Sequence, residues 1–257
     1  MTAADIIAAL ELPASARVDQ RVPKKLLLEN GAPTAADKRL INEGIEALLW
    51  VAALKPTTIG VPIYRDEARE YLEIAVLHLS LRAGARAPRL TELIHRAIPY
   101  PVFLIAEQDG CLTLSAAHKR WSHGESGKTV LEDSVISAEL GTTGGVTIWP
   151  AFLAALALAR QSRVDLRVLY QGWIDALLAW QAGLRTGQFL LPTTAAGAAA
   201  RREALAECAR LEAEVRRLRA AAAKERQISR RVELNATIQR LQADIGHHQR
   251  GLSGDRA

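Results

Sequence analysis

IPYPVFLIAEQDGCLTLSAAHKRW, residues 98–121, is the stretch on which the fold class turns. Pro99 and Pro101 hold the backbone extended, because a residue before proline avoids the helical region. VFLIAEQ (102–108) is then rich in the β-branched and apolar residues that suit a strand. Asp109-Gly110 is a dipeptide suited to a tight hairpin turn, and CLTLSAAHKRW (111–121) returns along it. An antiparallel pair is therefore predicted at the centre of the chain.

Working outward, EYLEIAVLHLSL (70–81) reads as a second strand, apolar on both faces around Ile74 to Leu79 as a central strand is. LTELIHRAI (90–98) is a short helix between the two. TTIGVPI (57–63) is a further strand candidate, and TVLEDSVISAEL (129–140) is another, with a break at Gly144-Gly145. On the N-terminal side the string TAAD, Thr34 to Asp37, resembles a capping box. It opens a helix expected to run to Leu54, with Leu40, Ile41, Ile45, Leu48, Leu49 and Ala52 on one face. MTAADIIAALELP is an amphipathic first helix without the basic start of a secretory signal. SARVDQRVPKKLLLENG (15–31) is an irregular segment closing on Gly31. Beyond the strands, helices are expected from Trp149 to Arg160 and from about Val164 to Leu184, the second burying Leu166, Leu169, Trp173, Leu177 and Trp180. The class is α+β, a mostly antiparallel sheet with flanking helices.

The chain continues past that body. TTAAGAAA (193–200) has the small-residue composition of a linker. After it Leu211, Val215, Leu218 and Ala222 recur at spacings of 4, 3 and 4, and Leu234, Ile238, Leu241 and Ile245 repeat the rhythm, both as a/d positions of a helical seam. The two runs are out of phase across KERQISRR (224–231), so this arm is either one long helix or a helical hairpin folded back there. The organisation expected is a body over 1–190, with strands at about 57–140 and helices at about 35–54 and 149–185, a linker over 191–200, a charged arm over 201–246 and a disordered tail over 247–257.

Charge separates these parts. Residues 1–200 hold 20 basic and 20 acidic side chains, whereas 201–257 hold 13 basic and 8 acidic ones, so the net +5 of the 257 residues lies wholly in the arm and the tail after it. Such a surplus draws nucleic acid phosphates, and Arg216, Arg217, Arg219, Arg230 and Arg231 are the candidate contacts. The interleaved glutamates fit equally a solvated helix face with i,i+4 pairs. Two cysteines, Cys111 and Cys208, are too few for a disulfide framework and point to a reducing, cytoplasmic setting. The most apolar run, Ile148 to Ala159, is too short to span a bilayer.

Catalytic candidates are sparse. SHGESGKT (122–129) imitates a phosphate-binding loop, but Ser122 stands where its first glycine belongs and VLEDSVISAEL follows as a strand, not a helix. Glu73, Glu107 and Lys119 lie on neighbouring strands in the way that carboxylates and a lysine gather around Mg²⁺ in restriction-type nucleases, without the acidic-x-Lys pair characteristic of them. His78, His95, His118 and His247-His248 lack ligand companions at metal spacing. The residues thus favour a protein without a cofactor, Mg²⁺ entering only on the nuclease alternative.

Five segments together resemble one uncharacterised bacterial family, domain of unknown function 4391. They are LPASARVDQRVPKKLLLENG (12–31), IEALLWVAALKPTTIGVP (45–62), EYLEIAVLHL (70–79), LIHRAIPYPVFLIAEQDG (93–110) with SAAHKRW (115–121), and KERQISRRVELNATIQRLQ (224–242). The resemblance carries no catalytic residue. It implies a context beside helicase and DNA methyltransferase genes in restriction or phage-defence loci. The expectation is a non-catalytic accessory or adaptor subunit that associates through its C-terminal helices with such a partner or with a second copy. A metal-dependent DNA nuclease is the alternative.

Overall fold

A computed structural model of the chain describes residues 2–122, 124, 127–141 and 145–252. The chain divides into two compact units, Met1–Leu177 and Leu178–Ala257. Among the described residues no helix is long and apolar enough to cross a membrane.

The first unit opens with helix α1 (Ala3–Ala9), whose first turn is closed by a reciprocal cap between Thr2 and Asp5. Strand β1 (Arg17–Arg21) and helices α2 (Lys24–Asn30) and α3 (Ala35–Gly44) follow, then strand β2 (Ile45–Leu54) and a single turn of helix α4 (Pro56–Ile59). Two short strands, β3 (Tyr64–Arg65) and β4 (Glu70–Tyr71), pair with each other and lead into β5 (Ile74–Leu81). Helix α5 (Ala87–Ala97) crosses to β6 (Val102–Gln108), after which come β7 (Cys111–Ala116), β8 (Lys119–Trp121), β9 (Thr129–Leu131) and β10 (Ile136–Leu140). Helix α6 (Trp149–Leu156) and the first half of helix α7 (Leu166–Thr186) close this unit, and α7 from Leu178 onward belongs to the second.

Six strands form the main sheet, in the order β1-β2-β5-β6-β7-β10. All neighbours are antiparallel except β5 and β6, which run parallel because α5 carries the chain back across the sheet. One face of the sheet, with Ala75, Leu77 and Leu79 of β5 and Leu104 and Ala106 of β6, packs with Leu27, Ile41, Leu90, Leu93 and Ile94 of the helices in one buried cluster. Phe103 meets the Trp173 ring at 4.8 Å between centroids. Burial of both faces explains why EYLEIAVLHLSL and VFLIAEQ read as continuous apolar runs. The edge strand β1, RVDQR, is charged and exposed, which discourages pairing with another chain.

The hairpin at Asp109-Gly110 is present, with φ of 52° and 77°, the double positive φ of a twist-matched two-residue turn. The helices at 90–98 and from 164 were also rightly expected, and Leu166, Leu169, Trp173, Leu177 and Trp180 are all buried.

Several elements differ from expectation. The helix opened by Thr34 stops at Gly44, and residues 45–54 are strand β2, paired on one side with β1 and on the other with β5. IEALLWVAAL is apolar at nearly every position, so helical and strand periods fit it alike, and long-range pairing decides. Strands therefore begin at Arg17, well before residue 57. TTIGVPI is no strand: Pro56 at the start of α4 suits a helical first turn, the Thr58 hydroxyl accepts from the Lys55 amide at 2.9 Å, and Gly60 ends the turn at φ 67°. The segments 111–121 and 129–140 each break in two, β7 pairing with β10 and β8 with β9. Residues 195–200 are helical, not a linker, because alanine is the best helix former and Thr194 caps the Gly197 amide at 3.0 Å. Of the expected tail, 247–252 are helical; 253–257 lie outside the described residues, as do parts of the 122–129 loop and of the break at Gly144.

Gly31 marks a close approach of α2 to α5. A Cβ there would stand 2.6 Å from Ala97 Cβ and 2.9 Å from the Leu93 carbonyl oxygen, a backbone wall that cannot swing away. Gly31→Ala is expected to cost about 2 kcal/mol by overpacking, read as a lowered urea midpoint at unchanged slope.

Candidate functional site

The three nuclease candidates are not brought together. Glu73 immediately precedes β5, is buried, and binds Lys55 Nζ at 2.9 Å. Glu107 lies near the opposite end of the sheet, paired with Ser80. Seven residues of extended chain separate Ser80 from Glu73, roughly 23 Å at about 3.3 Å per residue. Two carboxylates so placed cannot share ions that sit about 4 Å apart.

Lys119 has a different task. It is 3% exposed, and its ammonium donates to the carbonyl oxygens of His95, at 2.5 Å, in the last turn of α5, and of Ile98, the residue that follows the helix. Burial pushes its pKa down to about 7. His95, wholly enclosed, has Nε2 2.9 Å from Ser115 Oγ, and burial holds its imidazole neutral with a pKa of about 3, the Lys119 charge adding to the effect.

The neighbouring residues continue the pattern. Tyr170 OH donates to the Val102 carbonyl at 2.7 Å and accepts from the Ala117 amide at 2.9 Å, which takes that amide out of the strand ladder and bends the chain between β7 and β8. His118 Nδ1 lies 2.5 Å from Tyr71 OH and its Nε2 2.7 Å from Gln171 Oε1, which in turn passes through Nε2 to Asp175 at 2.8 Å. Trp121 donates its amide to Ala68, and Thr129 Oγ1 donates to the Pro99 carbonyl at 3.0 Å. The segments IPYP and SAAHKRW are thus two halves of one polar brace across the first unit. Tyr71, Tyr170 and His95 are enclosed, and the arrangement fixes the backbone. Sequence reading singled out these segments but not Tyr71, Tyr170 or Gln171, whose partners stand far along the chain. Among the described residues no group of three His, Cys, Asp or Glu could hold a metal ion.

The second unit contains the C-terminal helices. Helix α8 (Ala195–Lys224) and helix α9 (Ile228–Leu252) are separated at Glu225–Gln227, within KERQISRR, so the arm is a helical hairpin. Val215, Leu218 and Ile238 form its buried seam, with Leu234, Leu241 and Ile245 packed against them. Leu211 and Ala222 are buried too, so all eight predicted seam positions face inward to some degree. The two helices are unequally covered. On α8 Leu205, Cys208, Leu211, Val215, Leu218 and Ala222 are buried, whereas on α9 Leu234, Leu241 and Ile245 are half-buried. Ile228 and Val232, one turn apart at the start of α9, are 70% and 61% exposed.

Ion pairs sort the arginines. Arg217 pairs with Glu214, Arg210 with Glu207, and Arg230 reaches Glu225 at 3.8 Å. Glu212 turns to Arg185 instead of Arg216, four residues on along its own helix. Arg216, Arg219 and Arg231 are exposed and make no ion pair among the described residues.

A family model described as a domain of unknown function (DUF4391) matches residues 10–245. No curated protein and no solved structure matches the chain.

Proposed function

The chain belongs to the family described as domain of unknown function (DUF4391), and from that premise we propose that it is a non-catalytic accessory subunit of a bacterial DNA-processing complex of the restriction or phage-defence type. Its C-terminal helical hairpin docks on a larger partner, such as a helicase or DNA methyltransferase. The observation that supports this reading is the pair Ile228 and Val232, exposed one turn apart at the start of α9 and outside the seam that α8 covers. Apolar side chains spaced along one helix are what a helix-in-groove or helix-bundle contact uses as anchors.

The test is capture from the native host with the tagged full chain. Wild type is expected to copurify with a larger DNA-processing protein, and Ile228→Ser with Val232→Ser to lose it while keeping the helical content of the wild type. Each truncation removes an apolar contact of roughly 1–3 kcal/mol at an interface centre, so the pair should weaken capture at least about ten-fold. Equal capture by the double variant, or a wild-type protein that purifies alone, would end the reading.

A further inference from the structure

We infer that the tip of the helical hairpin is a sequence-independent binding site for the phosphate backbone of a nucleic acid duplex. The inference rests on the accessory reading for its setting, but on different residues. From Arg216 to Val232 the chain carries seven basic side chains and one acidic one, Glu225. Two of the seven are engaged, Arg217 by Glu214 and Arg230 by Glu225. The other five, Arg216, Arg219, Lys224, Arg226 and Arg231, are exposed and have no acidic partner among the described residues.

Helix geometry gathers these five at one place. Arg216 stands eight residues before the end of α8, about 12 Å along the axis, and Arg231 three residues into α9, about 5 Å, at about 1.5 Å per residue. Both helices end at Glu225–Gln227, so the two sets of cations converge on the turn. Elsewhere on α8, Glu203, Glu207, Glu212 and Glu214 interrupt the basic residues, which confines the excess charge to the tip.

The chemistry of the site selects the ligand. Four of the five free cations are guanidinium groups, whose planar fork matches phosphate oxygens in pairs. The stretch 216–232 contains no Phe, Tyr or Trp, so it lacks the aromatic platforms on which single-stranded bases stack. It has no Asn and a single Gln, Gln227, for reading adenine edges. What remains is electrostatic contact with closely spaced duplex phosphates, in which released counterions supply the affinity.

The test is fluorescence anisotropy of a labelled 20-base-pair duplex of arbitrary sequence, titrated with the full-length protein across a salt series. Wild type should bind at low salt, with log affinity falling linearly in log salt at a slope of about −0.9 per phosphate neutralised. Arg216→Gln, Arg219→Gln, Arg226→Gln and Arg231→Gln together should cut affinity at least about ten-fold and make the slope shallower by about 3 to 4. Arg210→Gln with Arg217→Gln, which removes two ion-paired arginines, should change both far less. The same wild type should bind a single strand of equal length no more tightly than the duplex. The inference is overturned by absent or salt-independent duplex binding, by equal losses in the two arginine sets, or by preference for the single strand. It is also overturned if the four-site variant loses the captured partner protein while wild type ignores the duplex, since the tip would then dock on an acidic protein surface. Failure of the accessory reading shows separately, as a wild-type protein that purifies alone or as unaffected capture in the Ile228 and Val232 variant, which keeps all five cations.

Discussion

Lys119→Met is expected to lower the unfolding free energy by about 3 kcal/mol at pH 9, and by less at pH 6. The substitution keeps the approximate volume of the side chain but leaves the carbonyls of His95 and Ile98 without the donor that now reaches both. An unmade hydrogen bond at a buried group costs about 1–3 kcal/mol. The pH dependence follows from the depressed pKa of about 7, set by burial, against an ordinary lysine value of 10.5. Between those two values the unfolded chain binds a proton that the folded chain does not, so wild-type stability rises with pH across that window, at most by about 1.4 kcal/mol per unit. Below pH 7 the folded protein carries a buried charge, and that cost offsets part of what the hydrogen bonds contribute. Above it the neutral amine still has two N–H groups for two carbonyls. Urea unfolding of both proteins at pH 6, 7.5 and 9 should show the gap widening with pH. A constant gap, or one under about 1 kcal/mol at pH 9, would contradict the account.

Trp173→Ala should cost more still, about 4 kcal/mol, the range for removing a large aromatic side chain from a packed core. Its ring is fully buried beside Phe103, and its Nε1–H donates to the Leu156 carbonyl at 2.9 Å. Deleting it opens a cavity and strands that carbonyl. For a unit of this size the loss corresponds to a fall in melting temperature of about 8–16 °C. Trp173→Phe, which retains most of the apolar contact, is expected to lose only about 1–2 kcal/mol. Comparing the two by thermal denaturation separates packing from hydrogen bonding. Similar losses in both would mean that the indole N–H, and not the ring, dominates.

Much of the architecture is legible in the sequence because it depends on local signals. The Asp109-Gly110 turn, the capped start of α3 at Thr34, and the a/d rhythm of the arm need only neighbours within about a turn. Where the residues are apolar on all sides, local signals cancel. IEALLWVAAL is a strand because β1 and β5 supply hydrogen-bond partners, and neither is near it in the chain. The candidate site divides in the same way. The basic surplus of the arm is a matter of counting, but which arginines are free is not. Along the helix Glu212 stands in place to pair with Arg216, and it is Arg185, from α7, that claims it.

By itself, then, the sequence determined the α+β class, the position of the central hairpin, the seam residues of the arm and the segment in which the arm breaks. All of these are set by periodicity, turn chemistry and charge over short spans. Only the tertiary structure decided that residues 45–54 are a strand, and that Glu73 and Glu107 lie too far apart to act together. It also decided that Lys119 caps a helix, and that five cations at the tip of the arm have no acidic partner among the described residues. Each of these depends on which distant groups meet, and an isolated stretch of chain carries no information about the partner that will satisfy its hydrogen bonds or neutralise its charge.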